Sequence, residues 1–501
     1  MADYPYLSGT SPARTRTDSF SGLDRRDRAS AGAVRDGLHL STDALPALRV
    51  CPTDEKVQDL TACTDLLSAC GCLIWTSGGN LYVDGVNKGG VRDEKHQMVV
   101  LGKRLFLFPE KQYLTLGESG GLQNMEARVV GGATFTDDSL ELTTTKGFSV
   151  GDGVTIEKCT RYPENNKTAV VREIDGNTLI FSEGCFTAGT ESAIIVTRKV
   201  PDLDFVCEKD NRLWGVHDNA VCCSVLGDPL NWMVYEGLAT DAFEAEVGTD
   251  GAFTGIAAAS SHVLCFKENC VHKIYGAKPS NFQVQVSSIP GVQAGCERAI
   301  RNVGETVYWW ARDGLMAYGG GIPDRLSAPL GDAGYTDMCM GEDGHKLWLS
   351  GLRDGQPETL IYDIEQAAFL PVDSRKAVQF AYHDGARYLA EETALWKTGT
   401  DRKNTDFAAV FGPFRQTSTA VLTGLTILAD CVGECTLACA VRTERGDWMP
   451  VWASGRLSDG RARIPVPAVR GMQFWLRVTG RGDVTLQSIV RILHPDGPDD
   501  L

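Results

Sequence analysis

No apolar run in this chain approaches the roughly 20 residues needed to span a bilayer. The opening stretch "MADYPYLSGTSPARTRTDSF" lacks the apolar core of a signal peptide. Both absences lead to the expectation of a chain made and folded in a cytoplasm. An excess of basic charge is missing too. Lys and Arg number 49 against 65 Asp and Glu, a net charge of −16. Such a surface does not wrap duplex DNA, because phosphate binding needs cationic side chains to displace counterions. It remains compatible with a wall past which DNA slides without sequence recognition.

Catalytic signatures are scarce as well. "GVNKGG" lacks the Gly-Lys-Ser/Thr ending of a phosphate loop, and neither a Gly-x-Ser-x-Gly elbow nor a His-Glu-x-x-His pair is present. The eight histidines are dispersed. Sixteen cysteines are plentiful, yet without an export signal they read as reduced core thiols and not as a disulfide framework. Cys431, Cys435 and Cys439 have the wrong spacing for a zinc ribbon and no nearby histidine, so they read as core packing. The expectation is no cofactor, no metal and no enzyme.

What the chain has is a cadence. "VCEKDNRLWGVHDNAVCCSVLGDPLNW" (206–232) runs strand, polar turn, aromatic strand, turn and strand. Related copies begin at Met98, Gly255, Ala299, Met338 and Gln379, with a weaker one at Cys72. Each has a Gly/Asn/Asp/Ser turn able to visit positive φ. A strand carrying Trp214, Phe266, Trp309, Trp310, Trp348 or Tyr388 accompanies the turn in the stronger copies. A period of about 40 to 50 residues is that of four-stranded propeller blades. The predicted fold is therefore all-β, a β-propeller of six or seven blades. Its first part covers 46–117 and its second 199–405.

Between those parts, 118–198 carries its own short strands and a hairpin on Asp-Gly-Asn, and reads as an inserted small β-barrel-like domain. Residues 406–495 give about seven short strands with frequent turns, the pattern of a C-terminal β-sandwich. Residues 496–501 form an acidic tail. The first 45 residues are polar, with Arg14, Arg16, Arg25, Arg26, Arg28 and Arg35 and few aromatic anchors beyond Tyr4, Tyr6 and Phe20. They read as an extended N-terminal arm that rests on something else. Acidic turn residues Asp218, Asp343 and Asp384 could serve a propeller glycosidase if carboxylates paired at the channel mouth, but turn acids are common for local hydrogen-bonding reasons.

Three stretches add a resemblance. "FSGLDRR" with "DGLHLSTDALPALRV", "DNRLWGVHDNAVCCSVLGDPLNW", and "FGPF" through "GRGDVTLQSIVRIL" resemble a family of tailed-phage and prophage structural proteins. These are akin to the propeller-bearing tail nozzle or packaged-DNA-stabilisation proteins. His39 and Leu45 stand where the family pattern has Asn and Tyr. The resemblance implies a non-enzymatic virion protein of the phage tail, a nozzle, hub or connector component forming a ring of copies around the DNA exit path. Its partners would be itself, neighbouring tail or head–tail connector proteins, and passing DNA. Candidate assembly residues are Arg14, Arg16, Phe20, Leu23, Arg25 and Arg26. The alternatives are a receptor- or carbohydrate-binding tail protein, favoured if Trp448, Trp452 and Trp475 share a sandwich face, and a propeller glycosidase.

Overall fold

A computed structural model describes residues 12–454 and 460–495. Tyr4, Tyr6 and the acidic tail 496–501 lie outside the described residues. Among those described, regular structure is entirely β apart from three short 3-10 turns. Seven four-stranded antiparallel sheets form a seven-bladed propeller arrangement, fixing the blade number at the upper of the two values expected.

The chain divides into two compact units, Leu60–Asp324 and the combination of Met1–Asp59 with Arg325–Leu501. In the first, blades 1 to 5 occupy 66–90, 97–124, 205–246, 253–287 and 300–325. Their hairpins form where the sequence supplies turn chemistry. In blade 3, Asp210 and Asn211 both hold positive φ (53° and 61°), so Lys209 pairs with Arg212 across a two-residue turn. Aromatic strands then face the core. Trp214 packs edge-on against Phe282 of blade 4 at 5.0 Å, and Phe266 and Trp309 meet at 5.2 Å.

Between blades 2 and 3, residues 127–198 form one seven-stranded antiparallel sheet around Phe135, Phe148, Phe181 and Phe186. Its longest strands, Ala127–Phe135 and Gly189–Arg198, pair with each other through a bulge at Gly131 and Ala133. A bulge re-aims the strand, which lets Ala127–Phe135 also pair with Ser139–Glu141.

The second unit holds blade 6 (335–373), blade 7 and a seven-stranded sheet where the sandwich is expected. Blade 7 takes three strands from 379–398 and its fourth, Asp54–Asp59, from the other end of the chain. Asp54 locks that strand. Its carboxylate accepts from Arg387 at 2.6 Å and Arg375 at 2.5 Å, and the Asp54 and Arg387 side chains are each 7 % exposed.

In the sandwich, one sheet joins 406–415, 473–481, 436–443 and Met449–Ser454 in that order. The other joins 461–471, 420–428 and 488–495. The N-terminal segment, expected as an extended arm, is instead built into both. Val34–Leu38 pairs with 406–415, Ala13–Thr17 with 489–493, and Leu48–Val50 with 485–486. These short strands gave too little alternation to reveal this: four of the five residues of Ala13–Thr17 are exposed, and Val34–Leu38 is the polar stretch VRDGL.

Candidate functional site

The six candidate assembly residues divide by burial. Phe20 is 2 % exposed and packs on Phe411 at 5.4 Å. Gly22 sits at φ 86° with Phe369 O 2.8 Å from where a Cβ would stand, so the chain can pass only as glycine. Leu23 is buried, and its N–H donates to Phe369 O at 2.7 Å. Arg25 reaches Glu358 with both guanidinium ends and donates to Tyr335 Oη at 2.8 Å. Burial alone would lower the Arg25 pKa, but its bonds to Glu358 override that and raise it. Three of the six are thus committed to the chain's own core. Arg14, Arg16 and Arg26 stay exposed; Arg16 pairs with Asp18 at 3.1 Å and Arg26 with Asp24 at 2.7 Å.

The "RLWG…SVLGDPLNW" stretch is a joint. Arg212, buried at the start of its strand, donates to the carbonyls of Ser224 at 2.7 Å and Asp241 at 2.6 Å. Asp241 in turn caps three backbone N–H groups, of Glu236, Gly237 and Leu238. Trp232 donates its indole N–H to Pro229 O at 2.9 Å. Asn231, 1 % exposed, crosses to the inserted domain: it donates to Asp152 Oδ1 at 3.1 Å and accepts from Gly153 N–H at 3.1 Å. Arg198, at the end of the inserted domain's last strand, bonds Asp152 at 2.7 Å and Met125 O at 2.9 Å. A Cβ on Gly153 would stand 2.3 Å from Met233 O, so the two backbones touch there. Asp152 and Arg198 carry no motif of their own; only their position at the insertion's ends could have flagged them.

A second buried network sits where strands enter blades 1, 2 and 5. His96 gives Nδ1 to Asp65 at 2.7 Å and Nε2 to Glu110 at 2.9 Å, and Arg298 reaches the other Asp65 oxygen at 2.6 Å. Burial would lower the His96 pKa, but the two carboxylates raise it to about 9. Glu110 is held low despite burial, chiefly by His96. Asp65 and Glu110 are therefore bridged by an imidazolium and not free as an acid–base pair. The Arg298–Asp65 pair ties the residue just before blade 1 to the segment that leads into blade 5. Asp218, Asp343 and Asp384 occupy turns of blades 3, 6 and 7. Asp218 and Asp384 hold positive φ, and Asp343 accepts from the N–H groups of His345 and Lys346.

Cys435 and Cys439 are buried and Cys431 half-buried. Cys435 Sγ lies 3.5 Å from Asp483 O. Burial pushes Cys439 up to about 12.

On the outer face of the first sandwich sheet, guanidinium and indole alternate. Arg477 lies over Trp448 at 4.2 Å, and Arg442 lies over Trp448 at 5.1 Å and Trp475 at 4.7 Å. Trp452 sits across from buried Cys439 and takes no part in the stack. On the second sheet, Arg14, Arg461 and Arg463 line a cleft of about 640 Å3. Sequence reasoning missed Arg461 and Arg463, although "GRARIPV" has the period-two alternation of a strand with one wet face.

No protein-family profile and no curated protein matches the sequence. Among solved structures, the chain is similar to Hsv2 of Kluyveromyces lactis, with 10 % identity over 72 % of this chain and 94 % of that one, at a TM-score of 0.31. It is also similar to the N-terminal domain of Nup159, with 8 % identity over 76 % and 99 % and a TM-score of 0.34. A third similarity is to a glycoside hydrolase, with 9 % identity over 56 % and 96 % and a TM-score of 0.20. Hsv2 and the Nup159 domain are β-propellers. At these values the likeness says nothing of what the chain does.

Proposed function

We propose that this chain is a non-enzymatic structural protein of a phage virion, a tail nozzle, hub or connector component that assembles as a ring of copies around the DNA exit path. In this reading it is made in the cytoplasm of the bacterial host and ends in the tail. The observation that carries it is the joint at Asn231. The stretches that resemble the phage family are the residues that fasten one part of the chain rigidly to another: Phe20, Leu23 and Arg25 into blade 6 and the sandwich, Arg212 to Trp232 into the inserted domain. Motifs of an enzyme converge on a cavity; these converge on buried seams. In this reading the passage for DNA lies between copies of the chain. Among the described residues no helix is long and apolar enough to cross a membrane.

One observation favours a second reading, a receptor- or glycan-binding tail protein: Trp448 and Trp475 do share a sandwich face, with Met449 and Met472 exposed nearby. The guanidiniums stacked on those indoles count against a sugar platform, since a sugar ring needs a bare aromatic face.

The deciding measurement is the solution mass of the purified full chain, alone and mixed with the virion proteins encoded beside it. A closed ring, or assembly triggered by one neighbour, supports the structural reading. A monomer that ignores its neighbours and binds host cells overturns it in favour of the receptor reading.

A further inference from the structure

The C-terminal sandwich is charged unlike the rest of the chain. Residues 406–495 contain ten arginines and no lysine against seven carboxylates, a balance of +3 within a chain of −16. Arginine without lysine suits planar, bidentate contact with phosphate oxygens. Two of the ten, Arg461 and Arg463, stand exposed on one strand of the second sheet, and Arg14 of the N-terminal strand faces the same cleft. Strand register sets Arg14 opposite Ile492, Ile492 opposite Gly424, and Gly424 opposite Pro465. One residue pair further along, Arg463 stands opposite Thr426, which pairs with Val490. The face is thus a shallow trough with an apolar floor of Val490, Ile492 and Pro465. Arg14 lies on one bank, and Arg461 and Arg463 on the other.

The banks are three inter-strand steps apart, about 14 Å, and Arg461 and Arg463 are about 6.7 Å apart along their strand. That second spacing is close to the separation of successive phosphates in an extended nucleic-acid strand. Among the described residues none of these three arginines has an ion-pair partner, and no carboxylate lines the cleft. Among the described residues no aromatic ring lines it either, so they offer neither base stacking nor sugar stacking. What remains is backbone contact: phosphates to guanidiniums, sugars over the apolar floor.

We propose that this cleft binds the phosphodiester backbone of nucleic acid without reading its sequence. It rests on the geometry of one sheet and does not depend on the chain residing in a tail, though it would give such a ring a hold on its passing DNA.

The test is fluorescence anisotropy of the full chain with a labelled single strand and a labelled duplex of mixed sequence, repeated over a salt series. Wild-type protein should bind at low salt, and the arm that binds more tightly identifies which form the trough fits. R14A/R461A/R463A should weaken binding at least tenfold and make the log K against log salt slope shallower by about two, since each lost phosphate contact removes about 0.7 to 0.9 from it. R461A/R463A leaves the N-terminal strand untouched and should give a smaller loss in the same direction. The proposal is overturned if variants that melt like wild type bind equally well, if wild type binds neither probe, or if polyglutamate competes as strongly as DNA. A chain that binds DNA here yet never assembles with tail proteins would sink the tail reading and leave the cleft standing. The converse result would do the opposite.

Discussion

Asn231 holds Asp152 across 79 residues of sequence, its side-chain amide 3.1 Å from Oδ1, with both residues almost wholly buried. Arg198 neutralises the other oxygen of the same carboxylate at 2.7 Å. The inserted domain is therefore fastened to blade 3 by polar bonds sheltered from water, where losing one partner strands the others. N231A should cost about 2–4 kcal/mol and raise amide exchange through 127–198 more than elsewhere. Thermal melting with hydrogen exchange checks this; uniform exchange would mean the joint is incidental.

D54A removes the acceptor shared by Arg375 and Arg387 on the strand that completes blade 7. Arg387, 7 % exposed, would lose its carboxylate, while the part-exposed Arg375 keeps Asp373, so a loss of about 2–4 kcal/mol is expected. Protease should then cut first near 54–59 and 379–398. Cleavage beginning elsewhere would contradict a closing role.

His96 sets a pH dependence. Its folded pKa, about 9, lies above the ordinary 6.5, so its contribution is complete below about pH 6.5 and is lost as pH rises through about 9. One proton gives a slope of up to about 1.4 kcal/mol per pH unit in that window. H96Q should flatten the stability curve between pH 6.5 and 9. Glu110, held low by the same imidazolium, has the opposite sign: its share is present above its unfolded pKa and fades in acid.

Arg491 is 3 % exposed and stacked 3.5 Å from Phe414; among the described residues its one hydrogen-bond partner is Thr17 Oγ1 at 3.3 Å, and two of its nitrogens are unsatisfied. Burial lowers its pKa to about 10. Replacing an unpaired buried charge with a hydrophobe of similar length should help, so R491M should raise stability by about 1–4 kcal/mol. A lower melting temperature would show that the guanidinium has work the fold does not reveal.

Deleting residues 1–44 removes Phe20, Leu23, Val34 and Leu40, each 2 % exposed or less. The truncated chain should lose cooperative melting of its sandwich or aggregate. A well-folded truncation product would mean the N-terminal strands are decoration.

Blades were legible because each repeats one local unit: a turn with residues suited to positive φ, such as Asp210–Asn211, beside a strand with a buried aromatic such as Trp214. The C-terminal strands were legible through the alternation of Phe474, Leu476 and Val478, all buried. What stayed hidden depends on distant partners. Arg25 looked like one of several surface arginines until Glu358 lay beside it, 333 residues away. Asp54 carries no sequence signal of its own; its role comes from Arg387, 333 residues away. Arg461 and Arg463 did alternate, but a period of two shows which face is wet and not what stands on the neighbouring strands.

The weaving of Ala13–Thr17 and Val34–Leu38 into strands beyond residue 406 has a consequence in time. A ribosome adding about 5–20 residues per second needs roughly 20 to 90 seconds to supply those partners. Throughout that interval the earliest-made strands, Val34 and Leu40 among them, wait without their sheets while residues 60–324 can already form. The nascent chain carries unpaired strand edges for most of its synthesis, an interval in which aggregation competes with folding.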